Sequence, residues 1–357
     1  MREKVMNSSD KKISVILPVK DGDMLLLRRA VRSVLQQRGV IFEILLLDDG
    51  SGESVSKELD VIAAEDSRIR LIHMEGRGVS AARNRAFREA QGQIVTWLDC
   101  DDAVAPGCFA EAMHLLEDPS VDALWGGTCF VNAEEMEELL AEGQDQDRGE
   151  NESAEKCCIP LDHERLHRTR AECIGEPYRF EGGGYINRGI AARFIRKDAL
   201  EEHGLYFPEG IGMYEDTIWN LEMMECLSIR YVPRIWYYYY DNSASASNRF
   251  HADGLERIEE PLNRIRNILD LDNEEEYTAY TRFLMDSLRY VCQTMYLHPD
   301  WKPEPNERMR IKRHLYGDAP WNEIGKKRFL AHAEKRDRLK AVMYKMRLLL
   351  KYWSMVG

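Results

Sequence analysis

The sequence predicts an α/β protein built on a doubly wound, mixed but mainly parallel sheet with helices on both faces, followed by a helical C-terminal extension. Three observations carry this. Strand-like and helix-like segments alternate through the first hundred residues, acidic clusters directly follow two apolar strands, and beyond residue 250 the pattern is helical and polar. Alternation at this spacing favours parallel strands joined by crossover helices. In such sheets ligands gather outside the carboxyl ends of the strands.

The elements follow in order. Residues 13–19 (Ile-Ser-Val-Ile-Leu-Pro-Val) are β-branched and apolar, a buried strand stopped by Pro18. Residues 24–37 place Leu26, Leu27, Ala30, Val31, Val34 and Leu35 at helical spacing before Gly39. A second apolar strand, 42–47, breaks at Asp48-Asp49-Gly50-Ser51; a weaker helix over 55–64 and a short strand at 69–73 come next. An Ala- and Arg-rich helix over 80–90 stops at Gly92. A third strong strand, 93–98, runs straight into Asp99-Cys100-Asp101-Asp102, before a helix at 110–116. Residues 134–140 suit a helix, whereas 143–154 read as a solvated, mobile acidic loop. Residues 182–248 are mixed, with an acidic Glu215-Asp216 pair and an aromatic strand at 236–240 that reads as packed. The sequence thus divides into a first domain over 12–248 and a helical extension over 250–357. Within the first domain fall a nucleotide-binding half (12–128), an acidic insertion (133–156) and an acceptor half (159–248).

Composition narrows the function. The chain has 357 residues, 44% hydrophobic, enough for a sizeable core. A net charge of −13 argues against nucleic acid as partner, because phosphate binding shows as basic surface. Eight cysteines without a Cys-x-x-Cys pair suggest neither a zinc ribbon nor a redox dithiol, and fit a reducing cytoplasm. No apolar run reaches the roughly 20 residues needed to span a bilayer. A cytoplasmic location is therefore expected, with peripheral contact at the inner face of the plasma membrane as one option. That option comes from residues 338–353. Leu339, Val342, Met343, Met346, Leu349, Leu350 and Trp353 fall on one helical face, with Arg338, Lys340, Lys345, Arg347 and Lys351 around them. Such a helix lies in a membrane interface or packs on protein; amphipathicity alone leaves both open.

The acidic clusters carry the chemistry. Three carboxylates within four residues repel one another, which a divalent cation with oxygen ligands resolves while bridging to a diphosphate. Against this stands the plain reading of a turn and helix cap. At Asp49 a carboxylate is placed to accept hydrogen bonds from a base N–H or a ribose hydroxyl. Residues 77–84 (Arg-Gly-Val-Ser-Ala-Ala-Arg-Asn) combine a glycine, a helix start and arginines, a set suited to phosphate.

In order and spacing, these segments resemble family-2 glycosyltransferases. The resemblance rests on Val15-Ile16-Leu17-Pro18-Val19, on 33–37, on Asp48-Asp49-Gly50-Ser51, on 78–84 and on Leu98-Asp99-Cys100-Asp101-Asp102. Phe207-Pro208-Glu209-Gly210 and Tyr214-Glu215-Asp216 complete it. It runs from about residue 12 to 247 and implies a GT-A fold and inverting transfer from a nucleotide diphosphate sugar, most commonly UDP-linked. The implied donor-binding residues are Pro18, Asp49 at the nucleobase, Arg83 on the nucleotide side, Asp99 near the ribose, and Asp101. Asp101 would hold Mn2+ or Mg2+, joined by Asp102, and Asp216 would be the general base on a carbohydrate or glycolipid acceptor. Arg249 and His251 are further candidates where a loop could close on the diphosphate. Cys100 departs from the usual small Ala or Ser, and no Gln-x-x-Arg-Trp motif is present, which favours addition of one or a few sugars. The alternatives are a non-catalytic nucleotide-sugar-binding protein on the same fold and a sugar-1-phosphate nucleotidylyltransferase. The second would need a glycine-rich basic loop where Pro18-Val19-Lys20-Asp21-Gly22 stands.

Overall fold

In the computed structural model the described residues are 12–142, 157–162, 164–180, 184–186, 189–240 and 250–356. They fall into two compact units. The first draws on residues 1–162, 177–210 and 222–241; the second draws on 163–176, 211–221 and 242–357. The helical unit therefore takes in two short segments from before residue 250.

The first unit is the sheet. Its strands are β1 (Lys12–Val19), β2 (Ile41–Asp48), β3 (Ile69–His73), β4 (Ile94–Trp97), β5 (Ala103–Val104), β6 (Ala123–Val131), β7 (Ile159–Pro160), β8 (Arg193–Arg196) and β9 (Ile229–Tyr240). They are ordered β3-β2-β1-β4-β8-β6-β9-β5, with β7 paired to β9. β1, β2, β3 and β4 are mutually parallel, as are β6 and β9; β8, β5 and β7 join antiparallel. The sheet is the expected mixed, mainly parallel one. Its helices are α1 (Met24–Leu35), α2 (Glu53–Glu65), α3 (Val79–Glu89), α4 (Cys108–Leu115), α5 (Ala133–Glu142) and, after the sixth helix described below, α7 (Lys197–Glu202).

Sequence explains the local choices. β1 and β2 are buried along nearly their whole length, as strands covered on both faces must be, and so read as continuous apolar runs. Pro18 lies beyond the last β1–β4 partners, Ile16 and Trp97, so its missing N–H costs that ladder nothing. Asp23 caps α1, its Oδ1 accepting from the Leu25 N–H at 2.8 Å. Leu27, Ala30, Val31 and Val34 of α1 then meet Leu17, Val19 and Phe109 in the core. Because β1, β2 and β4 run the same way, the loops after Val19, Asp48 and Trp97 open on one edge of the sheet.

The second unit is helical. It holds α6 (Leu166–Ile174), α9 (Glu256–Ile268), α10 (Glu274–Val291), α11 (Pro305–Gly317), α12 (Lys327–His332), α13 (Lys335–Lys345) and α14 (Leu349–Val356). α10 continues as one π-turn at Cys292–Tyr296, and Trp321–Glu323 is a 3-10 turn. Helix α8 (Glu215–Cys226) begins in this unit and ends in the first. Among the described residues no helix is long and apolar enough to cross a membrane.

One expectation is corrected. Residues 338–353 are not one amphipathic helix: α13 ends at Lys345, and Arg347 takes a left-handed conformation at φ 59°. The Arg347 N–H donates to Tyr344 O and the Leu348 N–H to Met343 O, both at 2.8 Å. This is the two-bond glycine-type helix stop with arginine at the left-handed position. Beyond the break Leu349 and Leu350 are buried, whereas Leu339, Val342 and Met346 are exposed. The supposed single stripe is two faces.

Candidate active site

The strand ends bring Asp48, Asp49, Asp99, Asp101 and Asp102 to one edge, and each carboxylate is used differently. Asp48 is buried and accepts from the Ser51 N–H (2.8 Å), the Ser56 hydroxyl (2.7 Å) and His73 Nδ1 (2.9 Å). Burial pushes its carboxyl up, but these donors outweigh it and hold it down at about 2. Asp48 thus shapes the turn after β2.

Asp49, also buried, faces the neighbouring loop. Its Oδ1 accepts from the Arg77 N–H at 2.8 Å, and its Oδ2 from the Gly78 N–H at 3.0 Å. The loop that starts α3 is thereby fastened to the end of β2. Contact between the two turns is close enough to demand glycine. Gly50 has φ 75°, and a Cβ there would lie 2.8 Å from the Gly76 nitrogen.

Arg83, on the buried face of α3, reaches Asp99 with Nη2 to Oδ1 at 3.2 Å and lies over the Phe207 ring at 5.2 Å. Two residues the sequence left unassigned complete this side. Asn84 grips the backbone of Phe207, and its Nδ2 also donates to Glu209 Oε1 at 3.1 Å. Arg29 of α1 donates from Nη2 to the Asp101 carbonyl at 2.7 Å and sits over the Tyr240 ring at 4.7 Å. An arginine beside the apolar positions of a buried helix is the signal that marks it. Asn84 stands inside a recognised motif, but its partner lies 123 residues away and leaves no local trace.

The Asp triplet is split. Asp102 is 1% exposed and turned into the sheet, Oδ2 accepting from the Tyr237 hydroxyl at 2.6 Å and Oδ1 from the Tyr240 N–H at 2.8 Å. The Tyr237 oxygen also accepts from the Asp99 N–H at 3.2 Å. Asp102 therefore spends both oxygens within the protein, and this geometry favours an anchoring role over sharing a cation with Asp101. Its carboxyl is raised well above the usual range by burial and by the charges of Asp99 and Asp101. Asp101 is raised too, by burial first and then by Asp99. Asp99 is more open than Asp102, its side chain 40% exposed. Cys100 is pushed up to about 12 by burial and the flanking carboxylates, so it is a neutral thiol rather than a soft anionic ligand. All eight cysteines are free.

Among the described residues no three His, Cys, Asp or Glu side chains form a metal cage. The donor set nonetheless fits a hard cation. Asp101, a carboxylate that burial and the charge of Asp99 disfavour, suits Mn2+ or Mg2+, which keep several positions for water and substrate phosphate.

Asp216 belongs to the other unit. It lies in the first turn of α8, its Oδ1 accepting from the Thr217 N–H at 2.7 Å. Tyr214, just before the helix, is held at φ 65°, with its hydroxyl 3.1 Å from Ser287 Oγ and its ring against Phe283. A bulky side chain in the left-handed region is a position the surroundings must impose. His251 binds within the same unit through its N–H to Thr294 O at 3.0 Å. Arg249 and the acidic stretch 143–154 lie outside the described residues.

The sheet order is that of the GT-A fold. Residues 1–349 of TarS from S. aureus, crystallised in complex with UDP, superpose on this fold with a TM-score of 0.59 at 17% identity. The match covers 96% of this chain and 89% of that one. Residues 14–175 match the model of the family "Glycosyl transferase family 2". It is 25% identical over 313 residues to the uncharacterized glycosyltransferase YibD of Escherichia coli, across 83% of this chain and 76% of that protein. Against the glycosyltransferase GlyG of Streptococcus pneumoniae it is 29% identical over 126 residues, 35% of this chain and 41% of GlyG.

Proposed function

We propose that the protein moves a sugar, with inversion, from a nucleotide diphosphate donor to an acceptor hydroxyl on a carbohydrate or glycolipid, in the building of surface polysaccharide or glycan. The observation that carries this is the division of labour in the Asp triplet: Asp102 locks the segment to β9, leaving Asp99 and Asp101 at the edge beside Arg83. Asp49 and the Arg77-Gly78 backbone are the proposed nucleobase side, Pro18 is a further proposed donor-binding residue, and Asp99 is the ribose side. A Mn2+ or Mg2+ on Asp101 would offset charge on the departing nucleotide diphosphate. Asp216 is the proposed base. A weakly nucleophilic hydroxyl needs a carboxylate within hydrogen-bond reach, and a single displacement inverts the anomeric centre. A UDP-linked hexose or N-acetylhexosamine is the proposed donor, in keeping with TarS crystals that hold UDP-GlcNAc. We also propose peripheral contact of the basic C-terminal stretch with the inner face of the plasma membrane.

Donor binding and hydrolysis across a panel of nucleotide sugars, with Mn2+, Mg2+ or EDTA, tests the first part. One donor turned over only with metal is the expected result, and folded protein that binds none would refute the reading. Asp216→Asn is expected to bind that donor normally and lose transfer; unchanged turnover would remove Asp216 as base.

A further inference from the structure

Charge in this chain is unevenly placed. Residues 301–357 hold 15 Lys and Arg against 6 Asp and Glu, a net +9; with a total of −13 the remaining chain stands at −22. Part of this positive charge is gathered into a cavity of about 390 Å3 within the helical unit. Its walls include Lys326, Lys327, Lys345, Arg347, Tyr316 and Asn322. Lys326 pairs with Glu323 at 2.7 Å, but among the described residues no carboxylate pairs with Lys327, Lys345 or Arg347.

Two backbone features bring these cations together. Gly325, at φ 88°, lets its loop sit against α13, where a Cβ would lie 3.1 Å from Lys345 Cβ. Arg347 occupies a left-handed position that glycine would fill at less cost, and there it lines the cavity. The Tyr316 oxygen accepts the Leu350 N–H at 3.3 Å, which leaves its own proton to donate. Three cations held close without counter-charge, with a hydroxyl and an amide beside them, are suited to the oxygens of a phosphate group.

Beside the cavity lies an apolar surface. Leu339 and Val342 of α13 and Met346 at its C-cap are spaced i, i+3, i+7, so they share one face, while Asp337, Ala341 and Tyr344 are its buried side. Leu339 is 65% and Met346 62% exposed, and Met355 of α14 is 74% exposed. The stripe ends at Met346, between Lys345 and Arg347 of the cavity. Apolar side chains fringed by cations, on the basic part of an otherwise acidic chain, complement an anionic bilayer surface.

We infer that this face is a docking surface for anionic lipid, with a headgroup phosphate seated among Lys327, Lys345 and Arg347 and the Leu339-Val342-Met346 stripe at the acyl boundary. The inference rests on, and deepens, the membrane contact proposed above by naming its site and its ligand.

Vesicle flotation of the full chain tests it, with phosphatidylcholine alone and with phosphatidylcholine containing phosphatidylglycerol. The combined variant Lys327→Gln, Lys345→Gln, Arg347→Gly removes the charges at exposed positions. A second variant, Leu339→Ser, Val342→Ser, Met346→Ser, removes the stripe. Flotation of the unsubstituted protein only with phosphatidylglycerol is expected. Each cation near such a surface contributes roughly 5-fold, so the charge variant should bind on the order of 100-fold more weakly. The stripe variant should also bind more weakly. Equal binding by the charge variant, with the unsubstituted protein still floating, would overturn the site and leave membrane contact standing. No flotation of the unsubstituted protein would overturn both. Binding of inorganic phosphate by titration calorimetry without vesicle binding would assign the cavity to a soluble phosphate and overturn the lipid. Donor binding measured on the same samples reports separately on the transferase reading.

Discussion

Asn84 and Phe207 hold each other by a two-way clamp: Asn84 Nδ2 donates to the Phe207 carbonyl, and the Phe207 N–H donates to Asn84 Oδ1, both at 2.8 Å. The side chain pairs with the buried backbone of Phe207 as a neighbouring strand would. It ties the middle of α3 to the Phe207-Pro208-Glu209-Gly210 segment. Asn84→Ala would strand a buried N–H and a buried carbonyl, at a cost of about 2–4 kcal/mol. Urea unfolding should show a lower midpoint at unchanged slope. Asn84→Asp, which keeps the acceptor but sets a buried carboxylate against the Phe207 carbonyl and Glu209, should lower the midpoint at least as far. A midpoint unmoved by Asn84→Ala would mean that the clamp holds nothing.

The Asp triplet should divide under mutation as it does in space. Asp102→Ala leaves the Tyr237 hydroxyl and the Tyr240 N–H without their acceptor, so a stability loss of about 2–4 kcal/mol is expected. Asp101→Asn removes a carboxylate that burial and Asp99 disfavour, and should leave the unfolding midpoint unchanged or raised. On the proposed mechanism it abolishes metal-dependent turnover. Comparing thermal unfolding with donor turnover in the two variants checks this. Equal stability losses in both would contradict the division.

The turn after β2 carries a pH signature. Asp48 is held down at about 2, below its ordinary range, by the Ser51, Ser56 and His73 donors. A depressed carboxyl gives stability that is full above the unfolded value near 4 and lost as pH falls toward 2. A shift of this size corresponds to about 2 kcal/mol. His73 moves the other way, raised chiefly by its bond to Asp48. Its contribution is full below the ordinary histidine value near 6.5 and lost as pH rises past its folded value. Asp48→Asn should flatten the acid limb of the stability profile between pH 4 and 2. It should also return His73 toward its ordinary value, read by NMR titration. A His73 titration unmoved in Asp48→Asn would break the link.

Much of the fold was legible because its strands are buried on both faces and its helices carry clean apolar spacing. Lys12–Val19, Ile41–Asp48 and Ile69–His73 lie within a residue of where periodicity puts them. The gathering of Asp49 and Asp99 at one edge was legible for the same reason, since parallel strands end together. What the chain hides is which way a side chain turns. Asp101 and Asp102 are alike as letters, and only the arrival of β9, 135 residues later at Tyr237, makes one an anchor. Arg29 and Asn84 act through backbone carbonyls, for which no partner residue type exists to be seen. The break at Arg347 was hidden because helix stops are read from glycine, and here arginine takes the glycine's place.

That break yields the simplest stability test. Arg347 holds φ 59° at the position after the α13 cap, where a Cβ crowds the following carbonyl. Glycine there escapes the clash but adds freedom to the unfolded chain, so Arg347→Gly should stabilise by about 0.5–1 kcal/mol. Arg347→Ala removes the same charge and keeps the clash, so it isolates the backbone from the electrostatics. Thermal unfolding should therefore rank glycine above both alanine and arginine. If alanine and glycine raise the midpoint equally, relief of charge repulsion with Lys345 and Lys327 is the cause, and the left-handed backbone costs nothing measurable.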